Sequence, residues 1–129
     1  NWFIPMVISH ALNNKDLNLT GCEQRYGYLH VDDFCRAISK VVLQKTPSGI
    51  FNVASNNSIQ LRQLIEIIQL QTKTKATFNF GALPYRPNQV MHMEGNSELF
   101  FSTFKFLPEA GFNESVTEII NYYKLKTAE

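Results

Sequence analysis

The sequence is short of the residues that would mark a specialised chain. Its 129 residues hold 6 glycines, 5 prolines, 2 cysteines and 1 tryptophan. So little glycine and proline excludes a collagen-like or low-complexity chain, and two cysteines cannot frame a disulfide scaffold. A charge excess is also missing: Lys plus Arg total 12 against 11 for Asp plus Glu, a formal net charge of +1. That leaves no basic surplus to drive nucleic-acid or anionic-membrane binding by counterion release. No apolar run approaches the ~20 residues that span a bilayer. What is present is a core: 44% of residues are hydrophobic and 12% aromatic, with 18% charged, a balance that excludes intrinsic disorder. At this length one compact domain, residues 1–129, is expected. The chain opens at Asn1 with neither Met nor a signal peptide and reads as a piece of something longer. Cys22 and Cys35 read as reduced thilols of a cytoplasmic protein, since cytosolic thiols are kept reduced.

Periodicity alternates between the helical and the extended. Ile4, Val7, Ile8, Ala11 and Leu12 fall on one helical face, which Asn13-Asn14 ends. Asp16 to Thr20 reads as an edge strand and Tyr26 to Val31 as a strand or extended segment. Asp32 or Asp33 is then placed to cap a helix whose face is Phe34, Ala37, Ile38, Val41 and Val42. Ile50 to Ala54 is an apolar strand interrupted by Asn52, and Leu61, Leu64, Ile65 and Ile68 define another helix. Ala76 to Phe80 alternates like a strand, and Gly81 to Gly95, with Pro84 and Pro87, reads as one long loop. Ser97 to Phe106 is an aromatic-rich helix stopped by Pro108. Ser115 with Glu118 makes a capping box for the last helix, over Val116, Ile119, Ile120 and Tyr123. The fold class is α/β (mixed α+β).

Self-contained catalytic apparatus is not visible. There is no Gly-rich phosphate loop and no Cys/His spacing suited to zinc, and His10, His30 and His92 lack a clustered partner set. Asp32-Asp33 at a helix start is explained by capping and the helix dipole. Tyr122 and Lys126 have a Tyr-x-x-x-Lys spacing, but on the last helix a solvated face accounts for them. Arg25 and Arg86 remain as candidates for gripping phosphate, since a planar guanidinium matches phosphate oxygens with two prongs. Asn52, inside an apolar strand, is an amide that would need partners if buried.

Five stretches in order resemble one family. Gly21-Cys22-Glu23-Gln24-Arg25-Tyr26-Gly27-Tyr28-Leu29-His30-Val31-Asp32-Asp33 is similar to the Gly-x-x-Gln-x-Arg-Asp-Tyr-Ile-His-Val-Asp-Asp segment of the extended short-chain dehydrogenase/reductases, the NAD-dependent epimerase/dehydratase family. Gly49 to Ser55 resembles its Gly-x-x-(Tyr/Phe)-Asn-(Ile/Val)-(Gly/Ala)-Ser strand, and Arg86-Pro87-Asn88-Gln89 its Arg-Pro-x-(Glu/Asp) loop. Asn96-Ser97 with Phe106-Leu107-Pro108, and then Ser115 to Tyr123, resemble the closing motifs. The resemblance covers essentially the whole chain.

It implies the small substrate-binding, C-terminal domain of such an enzyme, without the Rossmann half. The parent would be an NAD-dependent sugar-nucleotide epimerase, dehydratase or reductase. NAD or NADP and the catalytic Tyr/Lys pair would belong to the N-terminal half, so no catalytic, cofactor-binding or metal-binding residue is assigned to this chain. The domain would hold a nucleotide diphosphate sugar and position it for hydride transfer at C4. The substrate-binding residues implied are Arg86, Arg25, Tyr28, Asn52 and Gln89, with Phe78 or Tyr85 packing on the base. Arg25 stands one place before the family's arginine position, occupied by Tyr26, and one residue on a strand reverses a side chain's face. It would substitute only on an irregular backbone, which Gly27 would allow. Gln89 replaces the usual acidic ribose ligand. These departures keep open a non-catalytic binding or assembly domain derived from the family. The partners implied are the nucleotide sugar, the N-terminal Rossmann half and a second copy in a homodimer, with no nucleic acid and no membrane. Apolar surface bared by the missing half is expected around Trp2, Phe3 or Phe100-Phe101.

Overall fold

The computed structural model describes residues 2–44 and 48–126. The chain divides into two compact units that interleave along the sequence. The first comprises residues 1–24, 60–91 and 112–129, and the second 25–59 and 92–111.

The first unit is built on three helices: α1 (Phe3–Leu12), α3 (Leu61–Thr72) and α5 (Phe112–Lys126). They pack on one another through the stripes that periodicity marks. Val7, Ile8 and Ala11 of α1, Leu61, Leu64, Ile65 and Ile68 of α3, and Val116 and Ile120 of α5 are all buried. Each large aliphatic side chain so buried contributes roughly 1.5–3 kcal/mol. α1 stops where Asn14 takes a left-handed φ of 50°, which a short polar side chain tolerates. There Asn14 Oδ1 accepts from the Lys75 amide at 2.8 Å. A parallel two-stranded sheet, β1 (Leu17–Asn18) with β4 (Phe78–Asn79), sets Leu17 opposite Phe78. α5 begins at Phe112, three residues before the predicted cap, so Ser115 lies inside its first turn.

The second unit holds β2 (Arg25–Gly27), α2 (Val31–Leu43), β5 (His92–Met93) and α4 (Glu98–Phe104). β3 (Ser58–Gln60) and β5 flank β2, with β2 and β5 parallel and Arg25 opposite His92. The predicted loop 81–95 therefore contains a strand. The predicted strand at Ile50–Ala54 is not one: this stretch has no ladder, and Ile50 is 95% exposed. Its alternation nonetheless survives, because Phe51 and Val53 pack on a cluster of Ala37, Phe100, Phe104 and Phe106 while Asn52 faces solvent. Phe100 and Phe104 stack at 4.6 Å, and Phe51 meets Phe104 edge-on at 5.2 Å. Phe100 is thus core, not a bared surface, whereas Trp2 is 86% exposed.

α2 differs most from expectation. Its cap is His30, whose Nδ1 accepts from the Asp32 amide at 3.3 Å. Asp33 instead turns inward. Only 2% exposed, it accepts the Glu109 and Ala110 amides, both at 3.0 Å, and the Arg36 guanidinium. Arg36 in turn donates to Leu107 O at 3.2 Å, pairs with Glu109 at 2.7 Å and lies over the Phe106 ring. One carboxylate therefore fixes the strap after α4. Of the predicted apolar face only Ala37 is buried; Phe34, Ile38, Val41 and Val42 stay exposed, Val42 by 76%. At Gly95 any Cβ would stand 2.7 Å from the Ala54 Cβ, so glycine is required by contact rather than by φ.

Asp33→Ala should lower the urea-unfolding free energy by about 3 kcal/mol, because it strands two amides and a guanidinium in a buried site. Asp32→Ala, on the exposed side of the same turn, should cost less than about 1 kcal/mol.

Candidate functional site

The segment after β4 is pinned before it reaches the candidate residues. Gly81 N donates to Thr20 O at 3.1 Å and Leu83 N to Leu19 O at 3.0 Å. The next anchor is Tyr85. Its hydroxyl accepts from the Glu23 amide at 3.0 Å and donates to Glu23 Oε2 at 3.2 Å. The chain then turns: Gln89 N donates to Arg86 O at 3.1 Å, with Pro87 second and Asn88 third at φ 60°. Proline at the second place and a positive φ at the third are the signature of a type II turn. Proline's fixed φ means little entropy is lost in holding it.

Arg86 opens this turn. It is exposed, and among the described residues no carboxylate or carbonyl engages its guanidinium. Both of its outward prongs are therefore available to an anion. Gln89 closes the turn, its Nε2 donating to Val90 O at 3.3 Å. Arg86 and Gln89 are thus brought together by local geometry. Phe78 is excluded as a base platform, since it is buried in β4.

The other predicted residues lie in the second unit. Arg25 sits on β2, whose pairing with β5 is regular, and Gly27 keeps an ordinary φ. The irregularity that would re-aim Arg25 does not occur, and Arg25 donates to Ser58 O at 2.7 Å. Tyr28 is half-buried, and burial, with Tyr26 adding to it, pushes its hydroxyl up to about 12. It stays protonated at neutral pH. Asn52 is exposed, so it needs no internal partner.

A depression in the same unit is lined by Asn56, Glu94, Gly95, Asn96 and Glu98. Two carboxylates make it a poor seat for phosphate. Its amide oxygens are occupied: Asn56 Oδ1 accepts from Ser97 N at 2.6 Å, and Asn96 Oδ1 from Glu98 N at 2.9 Å. Ser97, wholly buried, accepts the Ala54 amide on Oγ at 2.6 Å. Sequence reasoning placed Ser97 at a helix start and within a motif without giving it a bonding role, and it missed the Tyr85–Glu23 pair, whose partners lie 62 residues apart. No local signal joins them. Tyr122 and Lys126 share a solvent-facing stretch of α5, the ammonium lying over the ring at 5.2 Å.

No family model matches the chain. A CDP-abequose synthase of Salmonella muenchen is 26% identical over 120 residues, which is 92% of this chain and 41% of that protein. Among solved structures, a UDP-glucose 4-epimerase of Thermotoga maritima, determined with UDP-glucose, superposes with a TM-score of 0.84 at 19% identity. It covers 98% of this chain and 40% of its own. A dTDP-glucose 4,6-dehydratase of Bacillus anthracis, determined with NAD, gives 0.81 at 21% identity, over 98% and 40%. The chain spans about two fifths of the length of these relatives. Among the described residues no helix is long and apolar enough to cross a membrane.

One carboxylate of the β2–β5 sheet is tuned. The Glu94 carboxyl lies below its ordinary 4.5, first through the bond from His92 Nε2 at 2.9 Å, then through Ser58. Its ionised form is thus favoured by folding, a contribution present above 4.5 and lost as pH falls through the depressed folded value. A carbon-13 titration should place the Glu94 midpoint below 4.5, and His92→Ala should move it back up.

Proposed function

Because the chain belongs to the extended short-chain dehydrogenase/reductases of the NAD-dependent epimerase/dehydratase family and corresponds to their C-terminal part, we propose that it is the substrate-binding domain of a nucleotide-sugar epimerase, dehydratase or reductase. The observation that carries this reading is Arg86: an exposed, unengaged guanidinium at the head of a turn preset by Pro87. A side chain so placed offers two parallel donors to a diphosphate without first breaking an internal ion pair. Gln89, at the turn's other end, would offer its amide to a ribose hydroxyl. Arg25, already donating to Ser58 O, is given no part in the grip.

The domain's contribution to the reaction is orientation. Holding the diphosphate and ribose fixes where the sugar lies, so that the carbon to be oxidised, C4, faces the hydride acceptor. The chain's own residues do not fit a nicotinamide cofactor, since its sequence has no Gly-rich dinucleotide loop. NAD or NADP is therefore assigned to the N-terminal half of the full-length protein.

That half also accounts for the open face of α2. Val31, Phe34, Ile38, Val41 and Val42 present an apolar helical stripe to solvent. We assign this face to the N-terminal half and, in a chain made without it, to a second copy. A second reading, a non-catalytic binding or assembly domain, draws on Gln89 in the ribose position.

Titrated with UDP or CDP, the chain should bind weakly, because one wall of the cleft is absent. Arg86→Ala should weaken binding by roughly 30-fold, the equivalent of about 2 kcal/mol for a charge-assisted pair. Equal affinity in both proteins would overturn the assignment. In sedimentation equilibrium the chain should self-associate and Ile38→Glu should render it monomeric; a monomer at high concentration without that change would dispose of the α2 face as an interface.

A further inference from the structure

We infer that Tyr85 is the positioning residue of the Arg86 turn, its hydroxyl latching that turn to the backbone and carboxylate of Glu23. The inference rests on the reading of Arg86 as the diphosphate contact and names what keeps Arg86 in place.

The latch is reciprocal. The Glu23 amide gives its proton to Tyr85 Oη at 3.0 Å, and Oη gives its own to Glu23 Oε2 at 3.2 Å. One acceptor lone pair and the single hydroxyl proton are both committed, which fixes the phenol in plane and in rotation. Glu23 is held from both sides. The carbonyls of Cys22 and Gln24 accept from Arg62 N and Leu61 N, both at 2.8 Å, at the start of α3. The tyrosine therefore ties its loop to a turn that is itself bonded to the start of α3.

Arg86 is the residue immediately after the latch, and Pro84 and Pro87 stiffen the chain on either side of the pair. With φ fixed at both prolines, anchoring the Tyr85 ring leaves few torsions through which the Arg86 backbone can wander. Gly21 completes the fit. A Cβ there would stand 2.9 Å from Tyr85 Oη, so a larger residue would displace the hydroxyl. Gly21 does not have a positive φ, which makes room for the tyrosine the reason for glycine at this place.

Such a device raises affinity by preorganisation. A guanidinium that already occupies its bound position loses less freedom on meeting the anion. It would also act without touching the ligand, and this separates Tyr85 from a base-stacking role, in which the ring face and not the hydroxyl would matter.

The test uses the whole chain, amide hydrogen exchange and UDP as the probe. In Tyr85→Phe the ring remains and the hydroxyl is gone. Exchange at the Gln89 amide, which closes the turn, should accelerate about fivefold or more, and UDP affinity should fall by a similar factor, the size expected for one lost hydrogen bond. Exchange at Ile65 and Ile68 should not change, which separates positioning from a loss of fold. Gly21→Ala should reproduce both effects with the tyrosine and glutamate intact. Glu23→Gln, which retains a side-chain oxygen to accept from Oη, should restore near-parental behaviour where Glu23→Ala does not. Unchanged Gln89 exchange in both Tyr85→Phe and Gly21→Ala overturns the latch. Faster exchange with unaltered UDP affinity overturns its positioning role. Should Arg86→Ala leave UDP affinity intact, the diphosphate reading falls by itself, and the latch is then judged on Gln89 exchange alone.

Discussion

The first unit depends on a turn of five residues, Thr20 to Gln24. A helix start leaves backbone amides without partners, and burying them unmet is costly. Here the first two amides of α3 are met by the carbonyls of Gln24 and Cys22, and the Thr20 carbonyl takes Gly81 N. The turn achieves this with Cys22 at a φ of 54°, a left-handed conformation that costs of order 1 kcal/mol and is retained because several bonds depend on it. Three separated stretches of sequence converge on these few atoms. The Arg86 turn inherits its position from them.

The second unit is organised by contrast between a closed side and an open one. Its closed side is aromatic: the phenylalanines of α4, with Phe106 and Phe51, surround Ala37, and Asp33 and Arg36 bolt the following strap in place. Ala37 is wholly buried in that cluster. Its open side is the rest of α2, where valine, isoleucine and phenylalanine face water. A helix with so much exposed apolar stripe is held in place by its other face, through Ala37, Asp33 and Arg36.

The helical stripes of the first unit were legible in the sequence because helical periodicity is local: Leu61, Leu64, Ile65 and Ile68 announce their own face, and all are buried. Strands were legible only in part, because a strand exists only with a partner: Asp16 to Thr20 and Ala76 to Phe80 do contain the paired β1 and β4. Ile50 to Ala54 has the pattern of one and finds no ladder, while His92-Met93, with no alternation to notice, pairs with Arg25-Tyr26. The Asp32-Asp33 pair was read correctly as structural and wrongly as a cap. A side chain of either could reach the helix start, and only the position of Glu109 and Ala110 decides that Asp33 turns inward. At the candidate site, Arg86 and Gln89 could be read from the Arg-Pro motif, and Pro87 foreshadows the turn. The tie between Tyr85 and Glu23 bridges a long sequence separation, and periodicity carries no information across it.

The chain passes from one unit to the other after Gln24, Ile59, Met91 and Gly111. Neither unit can be excised by one cut, nor grafted into another protein by one crossover. Exchange of modules between genes is thus a poor route to new specificity for such a chain. Divergence has to proceed by substitution in place, and the segment between β4 and β5, held at its root and exposed at its tip, is where such changes disturb the least.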